Sequence, residues 1–421
     1  MKLAATAHER TIDVDISSNE FWAKSFDERD ESFARLRREA PVSWHPPTEF
    51  PFPHEETGFW AVVKNDDINA VSRQTLRFGS GYGVSLDPMP FELLRSASFF
   101  LTMDDPEHAR YRALVSAAFT PRQVKLIDDQ IRSAAREIVG DLVGAGDVDF
   151  IEHCASRLPM RTIADMMGVP ESERIAAARA GDAVIGRSDP EFGDPTDPIR
   201  VITDAINYLH TLGADLAKHR RAHPADDLLT NLVQAEVDGQ RLTDADIGAF
   251  MVLFTVAGND TTRNTTALTT MAFDKNPDQR AYLLESFDER IMPAVDEFIR
   301  HGSPVMQFTR TALDDTELGG QQIAQGDKVC VFYCSGNRDE SVFDRPEAFD
   351  LSRPKNPHVG FGGGGPHFCI GAGLAKSQLR ALFGELLTRV PNIEVGDPEF
   401  AVGNFIRVIN RLPVHVPLTS Y

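Results

Sequence analysis

HVGFGGGGPHFCIG runs from His358 to Gly371, and a helix-like stretch, GAGLAKSQLRALFGELLTRV, follows without a break. Four consecutive glycines, Gly362 to Gly365, lead to a proline, a histidine and Cys369. Glycine loses more backbone freedom on folding than any other residue, so such a run calls for a physical reason. One reading is phosphate binding, since Gly360, Gly362 and Gly365 satisfy GxGxxG. The match leaves only about fifty residues for the rest of a dinucleotide fold, however, and no GK[ST] follows. A second reading is a tight turn before a helix, with Cys369 a small buried hydrophobe. A third is a metal-thiolate loop. Glycines let backbone amides approach a sulfur, and a cysteine just ahead of a helix lies near the positive end of its dipole. Both effects favour thiolate over thiol.

A single thiolate without companion Cys or His ligands suits the one axial position of a haem. FGGGGPHFCIG resembles the haem-binding loop of the cytochrome P-450 haem-thiolate monooxygenases, the soluble bacterial class. The usual family form has the Phe seven residues before the Cys. Here Phe361 stands eight before Cys369, a longer glycine-rich form that occurs in some bacterial branches. The resemblance implies Cys369 as the iron ligand and Phe361 beside the cofactor, haem b.

Outward from the loop, FMVLFTVAGNDTTRNTT lies upstream, with Thr261 108 residues before Cys369. Phe250, Phe254, Ala257 and Thr261 share one face of a helix. Ala257 and Gly258 leave space there, and Thr261 brings a hydroxyl with Asp260 beside it. Small, then acid, then alcohol is what dioxygen activation needs. A gap admits O₂, the hydroxyl steadies reduced oxygen, and the carboxylate helps relay protons. A buried helix with a cap-like polar cluster is the plainer alternative. AGNDTT also resembles the family's oxygen-binding motif, which implies these catalytic roles for Asp260 and Thr261 and sets Ala257 and Gly258 against the haem.

Glu297 and Arg300 form ExxR, 72 residues before the cysteine. The spacing recurs at Glu107/Arg110 and Glu171/Arg174, and such pairs are usually solvated. Position relative to the cysteine resembles the family's buried pair that braces the haem loop. The family often adds a basic residue in a P-x-[R/H]-F segment. Here PEAF carries Ala348, which leaves Arg345 or Arg353 as substitutes. His108, Arg112, Arg310 and His367 match family positions that bind the haem propionates. FTRTA, GNRDESVF and RLPV also look like family segments, and the resemblance runs from about residue 30 to the end.

Composition agrees with a soluble protein: 421 residues, 42% hydrophobic and 25% charged. A net charge of −20 argues against nucleic acid and anionic membranes as partners. The N-terminus has no apolar core for a signal peptide or anchor. The apolar run Phe250–Gly258 is too short for a span. Four cysteines without a CxxC pair suggest no disulfide framework and fit a cytoplasmic location. Helical periodicity dominates, over 19–40, 106–119, 121–143, 148–168, 197–223, 243–276, 290–301 and 372–390. Pro106, Pro121 and Thr243 act as start signals. Strands are short: 59–63, 305–310 and 328–333. Two loops, 79–100 and 187–198, read as irregular. The resemblance implies one triangular, mainly α domain over 1–421 with a small β region. Residues 1–20 are expected to be a loosely ordered N-terminal segment, and the haem to lie between the long helix and the cysteine loop.

The implied reaction is insertion of one oxygen atom of O₂ into a C–H bond, with two electrons from NAD(P)H. The chain shows no flavin or iron–sulfur module, so a separate ferredoxin and its reductase are expected. Asp and Glu are missing from Leu351 to Gly384 and from His108 to Ile127, which leaves basic islands in an acidic chain. Arg110, Lys376 and Arg380 are read as docking cations. The plainer alternative is that such islands pair with propionates. A peroxygenase using H₂O₂ and a non-catalytic haem-binding protein are the rival readings. The segments 79–101 and 185–200, with Phe254, Val305, Met306 and Phe405, are expected to line an apolar substrate pocket. The chain looks closest to branches acting on sterol side chains, methyl-branched lipids and terpenoids. It is expected to be a monomer.

Overall fold

The computed structural model describes residues 8–49, 54–186 and 196–417. The fold is mainly helical with a small β region. Its axis is the long helix Asp244–Lys275, opened by the expected Thr243 cap. Thr243 Oγ1 accepts from the Asp246 amide at 3.1 Å, and the Asp246 carboxylate accepts from the Thr243 amide at 2.8 Å. This reciprocal pair satisfies two of the orphan amides at the helix start. Buried residues occupy most faces of the helix, from Ile247 through Phe254 to Phe273, as befits a central helix. Pro198–Ala222, Glu171–Ile185, Arg157–Met166 and Phe287–Gly302 pack around it. The cysteine helix, Ala372–Arg389, lies beside Pro121–Leu142.

The main sheet has five strands in the order Val42–His45, Phe59–Val62, Lys328–Val331, Phe308–Ala312 and Phe78–Gly79. The second and third of these run parallel, and the other neighbours are antiparallel. Val42–His45 escapes sequence reading because all four residues are buried, so no two-residue alternation marks it.

Several expectations are corrected. The run 19–40 is two helices, Asn19–Ala23 and Phe26–Glu39, because Ser25 opens the second with its own capping box to Glu28. The 148–168 run begins as a strand, Gly146–Asp149, paired with Pro413–Val416, and only later becomes the helix Arg157–Met166. The supposed loop 79–100 contains the helix Phe91–Ser98, with Pro90 at its cap and Glu92 in its first turn. The other loop lies outside the described residues from 187 to 195. Helices Asn65–Arg73, Leu228–Gln234 and Pro277–Glu285 were not anticipated. From His8 onward the N-terminal segment is packed rather than loose. His8 lies 4.5 Å from the Trp44 ring and 5.0 Å from the Trp60 ring, and Val14 and Ile16 are buried.

Candidate active site

The glycine run answers to a neighbouring helix more than to the sulfur. A Cβ on Gly363 would lie 2.6 Å from Ser72 Oγ and 2.7 Å from the Ile68 carbonyl. At Gly365, where φ is +77°, it would lie 2.4 Å from the Ser72 carbonyl. The loop is thus pressed onto Asn65–Arg73, and only residues without a side chain fit. The amides that favour the Cys369 thiolate come from the other side of the cysteine, from Gly371 and Ala372. Burial outweighs these amides and Arg112, and pushes the Cys369 thiol up. A bound metal ion would deprotonate a coordinating thiol outright.

Cys369 opens onto a large cavity, whereas Cys154, Cys330 and Cys334 are buried. The cavity wall opposite is the long helix, which presents Ala257, Gly258 and Thr261. Thr261 Oγ1 donates to the Ala257 carbonyl at 2.8 Å, so the hydroxyl is held one turn back along the helix. Phe254, Val305, Phe361 and Phe405 also line the cavity. Residues between Val84 and Leu101 contribute a further wall, including Leu93 and Leu94 of the unanticipated helix. Val184, Ile185 and Ile202 stand at either end of the undescribed 187–195 stretch. Met306 does not line the cavity. Val305 bridges Ile406 in extended backbone, so the next side chain points the opposite way, into the core around Phe26 and Phe33.

Asp260 also faces away from the cavity. It is 1% exposed, and its Oδ1 lies 2.5 Å from Arg263 Nη2 on the same helix. Arg263 Nη1 donates to Asp182 at 3.2 Å, and Asn259 donates to the same carboxylate oxygen at 2.8 Å. Burial pushes the Asp260 carboxyl up to about 7, against the pull of Arg263 and with a push from Asp182. The sequence reading missed Arg263 and Asp182. The DTTR spacing signalled the first, but nothing local signalled the second.

Four donors gather beside the cysteine. The His108 and His367 rings are 4.0 Å apart, and His367, Arg112 and Arg310 line the cavity. His108 Nδ1 faces Asp105 at 3.4 Å, while its buried Nε2 has no partner. Arg310 is 4% exposed and donates to the Thr309 carbonyl at 2.7 Å, and Arg112 donates to the Phe368 carbonyl at 2.6 Å. Burial holds His108 below its ordinary range and His367 at about 2, with Arg310, His108 and Arg112 adding to the latter. A buried His108 Nε2 without a partner, with His367, Arg112 and Arg310 next to a lone cysteine, fits a flat group with a metal at its centre and anionic arms at its edge.

Glu297 and Arg300 are buried and joined by two contacts of 2.7 Å. Arg300 also donates to the carbonyls of Asn337, Pro346 and Ala348. The third member is Arg353, whose Nε lies 3.2 Å from Glu297 Oε1, whereas Arg345 pairs with Asp350. Asn356 and the Asp350 amide complete the shell of Glu297. Together they tie the helix Phe287–Gly302 to the chain that leads into the cysteine loop.

A profile of the Cytochrome P450 family matches residues 200–390. The chain is 39% identical to the methyl-branched lipid omega-hydroxylase of Mycobacterium tuberculosis, over 95% of this chain and 94% of that one. It is 37% identical to the steroid C26-monooxygenase of Mycolicibacterium smegmatis, over 88% and 86%. The chain belongs to the cytochrome P450 family. Its fold matches that of the Mycobacterium marinum cytochrome P450 CYP268A2, solved in complex with pseudoionone, with a TM-score of 0.92 and 51% identity over 97% of this chain and 100% of that one. The P450 is a haem-containing monooxygenase.

The three cations read as docking residues sit differently on this P450. Arg380 is exposed. Arg110 is exposed, stacks 4.8 Å from the Tyr111 ring and donates to Gln240. Lys376 is half-buried and paired: its Nζ lies 2.6 Å from Asp296 and 5.7 Å from the Phe361 ring. Among the described residues no helix is long and apolar enough to cross a membrane.

Proposed function

We propose that this P450 hydroxylates a hydrophobic lipid, sterol or terpenoid, with electrons passed from NAD(P)H through a separate reductase and ferredoxin. The observation that carries the reading is that Thr261 and Cys369 open onto one apolar cavity. Cys369 would hold the iron of haem b, and His108, His367, Arg112 and Arg310 would hold its propionates. The haem supplies activation of O₂, helped by electron donation from the thiolate. The protein does the rest. Thr261 offers a hydroxyl at the cavity wall, and Asp260 carries protons between that wall and the Arg263–Asp182 side. Phe254, Val305 and Phe405 exclude water and hold an apolar substrate. The relatives' activities on methyl-branched lipids and on steroids, and pseudoionone in the similar structure, support this substrate range. Arg110 and Arg380 are proposed to meet an acidic ferredoxin.

The test is reconstitution of the haem-loaded enzyme with NAD(P)H, reductase and ferredoxin over a panel of branched lipids, sterols and terpenoids. Hydroxylated product that depends on the ferredoxin is the expected result. Equal product from H₂O₂ alone would make the protein a peroxygenase. Spectral binding without product in either system would make it a binding protein.

A further inference from the structure

Asp87 joins two walls of the cavity. Its Oδ1 accepts from Asn404 Nδ2 at 2.5 Å and from Thr48 Oγ1 at 3.2 Å. Asn404 precedes Phe405, which lines the cavity. That side is anchored to the chain around Val305. The Met306 amide donates to the Phe405 carbonyl and the Arg407 amide to the Pro304 carbonyl, both at 2.8 Å. Thr48 is buried and follows the edge strand Val42–His45.

On its own side, Asp87 ends a stretch that is stitched to the rest of the protein. The Ser80 and Gly81 amides donate to Asp104 at 2.7 and 3.0 Å. The Val84 carbonyl accepts from the Thr309 amide at 3.0 Å, the Ser85 carbonyl from the Thr309 hydroxyl at 3.2 Å, and the Leu86 carbonyl from Lys328 Nζ at 3.1 Å. Beyond Asp87 the wall changes its support. Met89, Leu93 and Ala97 line the cavity and pack on Ala177, Ile202 and Val252 of the surrounding helices. Apolar contacts of this kind are non-directional, whereas hydrogen bonds to a carboxylate are strong and fixed in geometry. Pro88 and Pro90 lie between the two regimes. Each fixes φ and lacks an N–H, so a tilt at Asp87 is carried into Met89 and the helix Phe91–Ser98.

We propose that Asp87 is a positioning residue for substrate: its carboxylate, clasped by Asn404 and Thr48, holds the Met89–Ala97 wall at the distance from Phe405 that an apolar substrate fills. The inference rests on the reading of this cavity as the substrate site. Without the clasp the wall tilts outward, and only the fraction of molecules with the wall in place binds at full strength. Bound substrate restores the wall through Met89 and Leu93. Affinity therefore falls while turnover at saturation does not.

Amide exchange in the haem-loaded enzyme tests the clasp without a substrate. In Asp87→Ala, exchange across Phe91–Ser98 should quicken about 10-fold or more, the loss expected of a hydrogen bond to a charged group. Titration with pseudoionone, the ligand of the similar Mycobacterium marinum P450, followed by haem absorbance, tests the consequence. The Kd should weaken about 10-fold in Asp87→Ala and less in Asn404→Ala. The double variant should be no weaker than Asp87→Ala, because both changes remove one shared interaction. Turnover at saturating pseudoionone should stay at the wild-type value. Asp87→Asn keeps an acceptor for both donors and should recover most of the affinity. Wild-type exchange in Asp87→Ala, or a wild-type Kd with only a lower melting temperature, would overturn the proposal. Absence of any spectral shift in the wild type would count against the cavity as a site for such ligands, and the exchange comparison alone would then decide the clasp.

Discussion

Arg263 Nη2 stands 2.5 Å from Asp260 Oδ1, three residues on along the same helix, and this contact turns the carboxylate away from Thr261. The acid and the alcohol are adjacent in sequence yet face different sides of the long helix. As the proposed proton carrier, Asp260 would have to exchange Arg263 for the cavity side. Asp260→Asn should lower the turnover number by about 10²-fold or more, the range of a lost acid–base step, with substrate affinity little changed. Unchanged turnover in the variant would remove Asp260 from the proton path.

The same residue makes a stability prediction. Its carboxyl is raised from 3.8 to about 7 in the folded chain, so the native state binds more protons than the unfolded state between those values. Its favourable contribution is full below pH 4 and is lost as pH rises toward 7. Asp260→Asn carries no such proton. The melting temperature of the variant should therefore gain on the wild type as pH increases from about 4 to 7, and the gap should stay constant above that. A gap that shrinks over this range would contradict the raised value.

Removing the Thr261 hydroxyl should uncouple the enzyme. Thr261→Ala keeps the cavity apolar and deletes the group held at 2.8 Å from the Ala257 carbonyl. NAD(P)H consumption should continue while the fraction recovered as hydroxylated product falls and peroxide accumulates. Unaltered coupling would assign the hydroxyl to helix packing alone.

Arg353 and Arg345 should behave very differently. Arg353 is buried against Glu297, while Arg345 is exposed and pairs with Asp350. Arg353→Ala should cost about 1.5–3 kcal/mol and weaken haem retention, since it strips a charged hydrogen bond from a buried carboxylate. Arg345→Ala should stay within about 0.5 kcal/mol. Urea unfolding followed by haem absorbance separates the two.

Docking is predicted to follow the two exposed arginines. Arg110→Glu with Arg380→Glu should slow reduction by ferredoxin about 10-fold at low ionic strength, an effect that salt erases because screening acts over about 8–10 Å. Lys376→Gln should leave the reduction rate near wild type and instead loosen Asp296 and the loop around Phe361. Stopped-flow reduction at two salt concentrations distinguishes these outcomes. A rate unchanged in the double variant moves the docking face elsewhere.

What the sequence determined by itself is local and chemical. A glycine-rich turn before a helix, a lone cysteine, the small–acid–alcohol order in a helix and ExxR one turn apart are all written in neighbouring residues. Helix geometry translates such spacings directly into shared faces. That is why Cys369, Thr261, the Glu297–Arg300 pair and the long helix with its Thr243 cap were legible. What only the tertiary structure decided depends on which elements meet. The glycines answer to Ser72 and Ile68, about 290 residues upstream, and no property of the loop itself reveals that helix. Arg353 rather than Arg345 completes the buried network because the chain returns past Glu297 at that point. Asp182 reaches Arg263 across two packed helices. Lys376 is neutralised by Asp296, and Met306 faces the Phe26 core rather than the cavity. Side-chain direction and charge pairing are set by neighbours distant in the chain, and those neighbours exist only once the helices have packed.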